Sequence, residues 1–419
     1  MNSTTTNKFN NKTLFSAFIT LLNDRLGESI VFPLLPFLLE KFNSSGSTLG
    51  FLAGTYAIAQ FSVSPLIGAL SDRYGRKPII SFCVFGSVIG LSIFAITVSL
   101  NWENFIPAWA NYLPLVFLFI ARIIDGVSGG TAATATAVLA DISTPETRAK
   151  TFGLIGVAFG LGFLLGPGLG TTLAKFSVTL PVWVAAGVAC MNLYLVIKLL
   201  EETHPIEKRK NLPRKRDLNP FSQLKKVFKN ESIRTLCLAF FLFFMAFNGF
   251  TAILVLYLKQ TFDWTPEIAS LTFVVVGIIA MIVQGGLIGP LVKLFGEMKL
   301  TIVGTGFVLT GCIFLITATK ENAIPSVFSA VAILACGTGL VTPCLRALIS
   351  RKLNSSSQGA ILGSLQGLQS LGTFIGAAGA GLAYDVIGSK SPFYITSIML
   401  FGVMILISEK FKFFATKKI

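Results

Sequence analysis

Apolar residues run along the chain in windows of about 20, each long enough to cross a ~30 Å hydrocarbon layer as an α-helix. The windows fall near residues 14 to 39, 48 to 70, 78 to 99, 113 to 140, 151 to 174, 180 to 200, 234 to 258, 267 to 291, 299 to 319, 325 to 349, 359 to 384 and 393 to 409. The pattern predicts an all-α membrane protein with twelve spans. Its longest polar interruption, Glu201 to Ser232, is basic, contains prolines and follows the sixth window. The expected organisation is therefore an N-terminal six-helix bundle over 1–200, a linker over 201–232 and a C-terminal six-helix bundle over 233–419.

Composition agrees with that pattern. Of 419 residues 53% are hydrophobic and only 13% charged, with mean hydropathy +0.75, far from the balance of a soluble domain. The net charge of +15 could suggest nucleic acid, but that needs a basic soluble face, and here the cations are parcelled into loops. Lys and Arg gather in 71–77, 144–150, 201–233, 292–299, 350–352 and both termini, whereas the alternate loops hold about one each: Lys41, Lys175, Lys259, Lys320 and Lys390. By the positive-inside rule the basic loops, the linker and both ends are cytoplasmic. Nine Lys and Arg between Lys208 and Lys229 suit anionic lipid headgroups. The polar start MNSTTTNKFNNKT leads into the first window without a basic region and cleavage site, so no removable signal peptide is expected. The six cysteines all fall inside windows, none at zinc spacing, and the one histidine, His204, lies in the linker. No metal site, cofactor or disulfide framework is expected.

One short charged turn stands between windows two and three: GALSDRYGRKP, Gly68 to Pro78. A relic of it, GPLVKLFGEMK from Gly289 to Lys299, stands between windows eight and nine, with Gly289 and Gly296 spaced as Gly68 and Gly75 are, and Lys293 where the first copy has Asp72. GFLLGP in window five and GTFIGA in window eleven form a second such pair. The two halves thus read as repeats.

GALSDRYGRKP resembles the loop signature of the major facilitator superfamily, G-x-L-[SA]-D-R-x-G-R-[RK]-P, at every fixed position. ARIIDGVSGG in window four and GLGFLLGPGLG in window five are similar to motifs of its twelve-span drug:proton antiporters, and DRLGESIVFPLLPFL in window one is similar to the tetracycline-antiporter type. Departures are Thr171 for the second Gly after the G-P motif, Asp125 where Gln is common, and Arg25 and Glu28 at apolar or small positions. The resemblance implies a monomeric secondary transporter in a bacterial plasma (inner) membrane, with a small-molecule substrate, protons and the bilayer as partners. It implies a latch at the turn: Asp72 reaching from Gly68–Gly75 across the bundles towards span eleven near Gly359, with Arg76, and Arg73 beside it, pairing with Asp141 at the end of span four. It also implies a hinge at Gly162, Gly166, Pro167 and Gly170, although glycines at fourfold spacing equally suit a packing seam.

Charge inside a span is expensive, about 2.5 to 3.5 kcal/mol for each Asp, Arg or Lys on insertion scales, and calls for a partner or a water-filled cavity. Asp24, Arg25 and Glu28 fall in span one, and Arg122 and Asp125 in span four. Asp24 and Glu28 share a helical face, and Arg25 to Glu28 and Arg122 to Asp125 are both separations that permit local pairs. Burial raises the pKa of a carboxylate and an adjacent Arg lowers it, so a rearrangement that changes either influence can capture or release a proton. Asp24 is the carrier by resemblance and Glu28 the second candidate; a permanently paired structural cluster is the alternative. No comparable mid-span charge is read in the second half, where Asn248, Gln284, Gln366, Gln369 and some of the 38 Phe are the pocket candidates.

Three functions are open at this point: a proton-coupled antiporter exporting small amphipathic compounds by alternating access, a facilitator or symporter for a sugar or other metabolite, and a membrane enzyme or receptor. The last lacks a phosphate-binding loop, nucleophile elbow or metal spacing, so no enzyme activity is expected.

Overall fold

In the computed structural model every regular element among the described residues is helical. The structure describes residues 3–42, 44–110, 112–143, 148–209, 218–352 and 358–416, of which 3–11, 148–153, 208, 223, 226, 358–363 and 409–416 by backbone alone. Ten helices among the described residues are long and apolar enough to cross a membrane. They are spans two (Gly46–Tyr74), three (Arg76–Ser99), four (Leu113–Ile142), five (Leu154–Ala174), six (Leu180–Leu199), seven (Glu231–Phe262), eight (Pro266–Phe295), nine (Glu297–Thr317), ten (Ala323–Ser350) and twelve (Ser391–Ser408). The helices Ser3–Val31 and Gln358–Val386 occupy the places of the first and eleventh sequence windows and are numbered spans one and eleven.

Three spans depart from regular helix, two of them where the sequence gives a reason. Span one stops at Val31 and continues as short 3-10 and α turns from Phe32 to Phe42, because Pro33 and Pro36 each remove a backbone donor. Span four is two helices, Leu113–Val127 and Thr131–Ile142, joined through the Gly129–Gly130 pair. Span eight carries a π-helical stretch, Met281–Leu287, between Pro266–Ala280 and Ile288–Phe295; such stretches recur at functional positions.

The chain forms two compact units, Met1–Asn43 with Ser62–Asn219, and Ser44–Phe61 with Pro220–Ile419. In the first, buried Ala17 and Leu21 of span one pack with Ile80 and Val84 of span three, Ala135, Val138 and Leu139 of span four, Ala158 of span five and Val196 of span six. That core holds span one on three sides at the level just before its charged residues. In the second unit, span seven brings Phe240, Phe243, Phe244 and Phe250 into the interior, with Phe240 and Phe244 ring centroids 4.6 Å apart. These aromatics are packing residues. Tyr257 donates to the Leu315 carbonyl at 3.1 Å, tying span seven to span nine.

Residues 44–61, which the sequence division places with the first bundle, pack within the second unit. Ala53 clusters there with Ala252 and Ala377, and the Asp385 carboxylate accepts from the backbone N–H of Gly46 at 2.9 Å and of Ser47 at 2.7 Å. An acid from the end of span eleven thus caps the positive start of span two. Burial by itself would raise the Asp385 carboxyl, but the hydrogen bonds from Ser47 and Gly46 hold it below its ordinary value.

Candidate functional site

Span one presents its three charges as a closed triad. The Arg25 guanidinium lies 2.7 Å from Asp24 and 2.5 Å from Glu28, and also 4.7 Å from the centroid of the Phe159 ring of span five. Each nitrogen fork thereby has an acid, and the face of the cation has an aromatic partner. Glu28 is the most open of the three, 37% exposed against 14% and 15% for Arg25 and Asp24. In span four Arg122 and Asp125 form the second local pair, at 3.4 Å.

The span-five glycines seat this triad. A Cβ on Gly166 would lie 1.9 Å from Ser29 Oγ, and one on Gly170 2.5 Å from the Ile30 carbonyl oxygen, so only glycine permits the approach of the two helices. Gly162 faces the Cβ of Arg25 itself, and its carbonyl accepts from Ser29 Oγ at 2.8 Å. Pro167 lies within a continuous helix, its carbonyl bonded by Thr171 Oγ1 at 2.8 Å. The seam and the charge cluster are therefore one structural feature.

At the turn between spans two and three, Gly75 has φ +104°, which a side chain would strain. Gly68 by contrast is helical, inside span two, with open space where a Cβ would point. Arg76 is the hub. Its guanidinium lies 2.6 Å from Asp72 and 3.1 Å from Asp141, and donates to Ser71 Oγ at 2.6 Å. Arg73 is exposed over the Tyr74 ring at 5.3 Å. Residues 353–357, which precede the start of span eleven towards which Asp72 is expected to reach, lie outside the described residues.

Glu202, absent from the sequence reading, completes the turn. Its carboxylate accepts from the N–H of Arg76 at 2.8 Å and of Lys77 at 3.1 Å, capping span three from 126 and 125 residues away. No local spacing could announce that pairing.

The second unit carries a counterpart with the signs exchanged. Gly296 has φ +75° and is followed by buried Glu297, which holds Arg351 through contacts of 2.6 and 3.2 Å. Arg76 after Gly75 meets an acid at the end of span four; Glu297 after Gly296 meets a base just past span ten. The second turn thus keeps an acid, one residue after the glycine, although Lys293 stands where Asp72 does in the first.

Among the four amides, Asn248 donates to the Phe244 carbonyl of its own helix at 2.9 Å, Gln284 sits in the π-helical stretch, and Gln366 and Gln369 lie half-buried on one face of span eleven. The second half also has a span charge that the sequence reading passed over: Arg346 of span ten, whose Nη2 donates to Gln369 Oε1 at 2.6 Å. Its position four residues before Ser350, beside a basic loop, made it look like part of the orientation signal.

A family model described as Major Facilitator Superfamily matches residues 15–377. Tetracycline resistance protein, class C, of Escherichia coli is 33% identical over 370 residues, covering 87% of this chain and 88% of that protein. Quinolone resistance protein NorA of Staphylococcus aureus is 27% identical over 411 residues, covering 96% and 97%. Among solved structures, the human organic anion transporter MFSD10 (TETRAN) matches with a TM-score of 0.73 at 24% identity, over 95% of this chain and 99% of that one; at that identity it attests the fold.

Proposed function

Because this chain belongs to the major facilitator superfamily, a family of membrane transporters and not of enzymes, we propose that it exports small amphipathic compounds in exchange for protons, by alternating access. The observation that carries this reading is the Asp24–Arg25–Glu28 triad, which sits inside a span and is seated on the span-five seam. Resistance proteins for tetracycline and quinolones at 27 to 33% identity, each matched over most of its length, support drug efflux as the process.

The chemistry follows from one guanidinium shared between two acids. An adjacent guanidinium favours the charged form of a carboxylate, and loss of water favours the neutral one. A shift of span one along the glycine seam that takes Arg25 away from either acid leaves a desolvated carboxylate, which takes up a proton; the return stroke expels it. Asp24 and Glu28 are the two candidate carriers, and the proton gradient is the only energy source the proposal needs. The monomer suffices, and the setting is a bacterial inner membrane with both termini cytoplasmic.

Proteoliposomes test the proposal directly. With an imposed pH gradient the wild-type protein accumulates a lipophilic drug or dye and moves protons with it. Asp24→Asn and Glu28→Gln are made separately; the carrier variant loses uphill transport while retaining substrate binding. Undiminished uphill transport by both variants would overturn the proton-carrier assignment. Uptake of a sugar, with no lipophilic compound moved, would favour a facilitator instead.

A further inference from the structure

Arg346 differs from the two arginines paired within spans one and four. Arg25 and Arg122 each meet a carboxylate of their own helix, and Arg351, just past span ten, meets Glu297. Arg346 meets a neutral amide, and no carboxylate pairs with it among the described residues.

Its depth follows from its partner. Gln369 lies three residues from residue 372, the middle of Gln358–Val386, or about 4.5 Å along the helix axis. Helical side chains lean towards the N-terminus of their helix. For Arg346, near the C-terminal end of span ten, that direction leads away from the basic loop and into the span. The Gln369 side chain leans by the same rule towards Gln358, so the guanidinium ends within the first half of span eleven, short of its middle, exposed and not enclosed. A cation at that depth must face the bundle interior or a watery cavity. The guanidinium is held there by a contact with a second span.

The surrounding surface is polar on both helices. Thr342 and Thr338 stand one and two turns before Arg346 at fourfold spacing, and Gln366, Gln369 and Thr373 share one face of span eleven, all half-buried. Gln369 spends only its oxygen on Arg346, so its side-chain NH2 and the remaining guanidinium hydrogens are left as donors. Several donors and a net positive charge, with no acid to neutralise it, suit one kind of occupant.

We propose that Arg346 and Gln369 form a binding site for the anionic group, a carboxylate or an enolate, of an amphipathic substrate. The guanidinium takes the anion through its planar fork, Gln369 orients the guanidinium and adds an amide donor, and the apolar part of the molecule lies along the apolar walls of the second unit. This rests on the efflux reading and narrows its substrate class.

The test compares two probes of one shape, 1-pyrenebutyrate and its uncharged carboxamide, on the purified full-length protein in detergent and, separately, in proteoliposomes with a pH gradient. Binding is followed by quenching of tryptophan fluorescence. The wild-type protein should prefer the carboxylate by ~10-fold or more, the scale of a charge-assisted hydrogen bond. Arg346→Gln should erase the preference, and Arg346→Lys should retain part of it. Gln369→Glu places a carboxylate against the guanidinium and should erase it too, without removing the cation. Equal wild-type binding of both probes, or a preference that survives Arg346→Gln, would overturn the site. The transport arm reads the efflux proposal independently: a binding preference with neither probe moved keeps the site and sinks efflux, whereas transport of both probes without a preference does the reverse.

Discussion

Arg25 illustrates why single residues in this chain can be read at two levels of certainty. Its charge, and those of Asp24 and Glu28, stand out of an apolar window, so their presence in a span was legible from the sequence alone. That one guanidinium serves both acids, and that Phe159 lies over it, depends on how span five meets span one. The same contact makes glycine irreplaceable at chosen positions. Gly170→Ala drives a methyl group against the Ile30 carbonyl oxygen and should cost about 1 to 3 kcal/mol through overpacking. Gly168→Ala, where a Cβ meets nothing within 4 Å, should leave stability unchanged or slightly raised. Thermal unfolding of the two variants in detergent gives the comparison, and equal melting temperatures would contradict the seam. Arg346 and Glu202 were missed for a shared reason: each sits in or beside a basic segment whose composition already had an explanation, and the partner that reveals it is remote in sequence.

Elements end where their orphan backbone groups find partners, and two of these partners come from far along the chain. Glu202 accepts from the first N–H groups of span three. Glu202→Ala should destabilise that helix start by about 0.5 to 2 kcal/mol, seen as faster hydrogen exchange at Arg76 and Lys77. Asp385 does the same for span two, and its depressed pKa fixes the sign of a pH effect. The cap's contribution is fully present above the unfolded carboxyl value of about 4 and is lost as pH falls through the lower folded value. The exchange protection of Gly46 and Ser47 should therefore exceed that of Asp385→Asn at neutral pH, with the gap narrowing in strong acid. A gap that is constant with pH would rule out the carboxylate as the cap. The break after Val31, inside the window that reads as one span over 14 to 39, has a local cause in Pro33 and Pro36, because a missing donor acts locally. The π-helical stretch at Met281–Leu287 had no such signal, since an extra residue in a helical turn is tolerated only through its neighbours.

At the scale of the molecule, the turn after span two is where charge and conformational change are proposed to meet. Asp72 is 42% exposed and shares Arg76 with Asp141, so it is the member of the group best able to exchange partners. Asp72→Asn should slow turnover in proteoliposomes several-fold while the amount of inserted protein is unchanged; turnover at the wild-type rate would rule out the latch that the family resemblance implies. The repeat relation acquires content from the second unit, where Glu297 and Arg351 hold the matching place with opposite signs. By itself the sequence determined the all-α class, the twelve spans, the paired turns and the charges on spans one and four, because transfer into a membrane, helical periodicity and turn chemistry act within a few residues. Only the tertiary structure decided that Asp141 meets Arg76, that Glu202 and Asp385 cap helices far from them in sequence, that residues 44–61 pack with the second unit, and that Arg346 ends on Gln369. Those pairings depend on which helices lie side by side and how they are rotated, and packing of that kind is a property of the whole chain that no local pattern encodes.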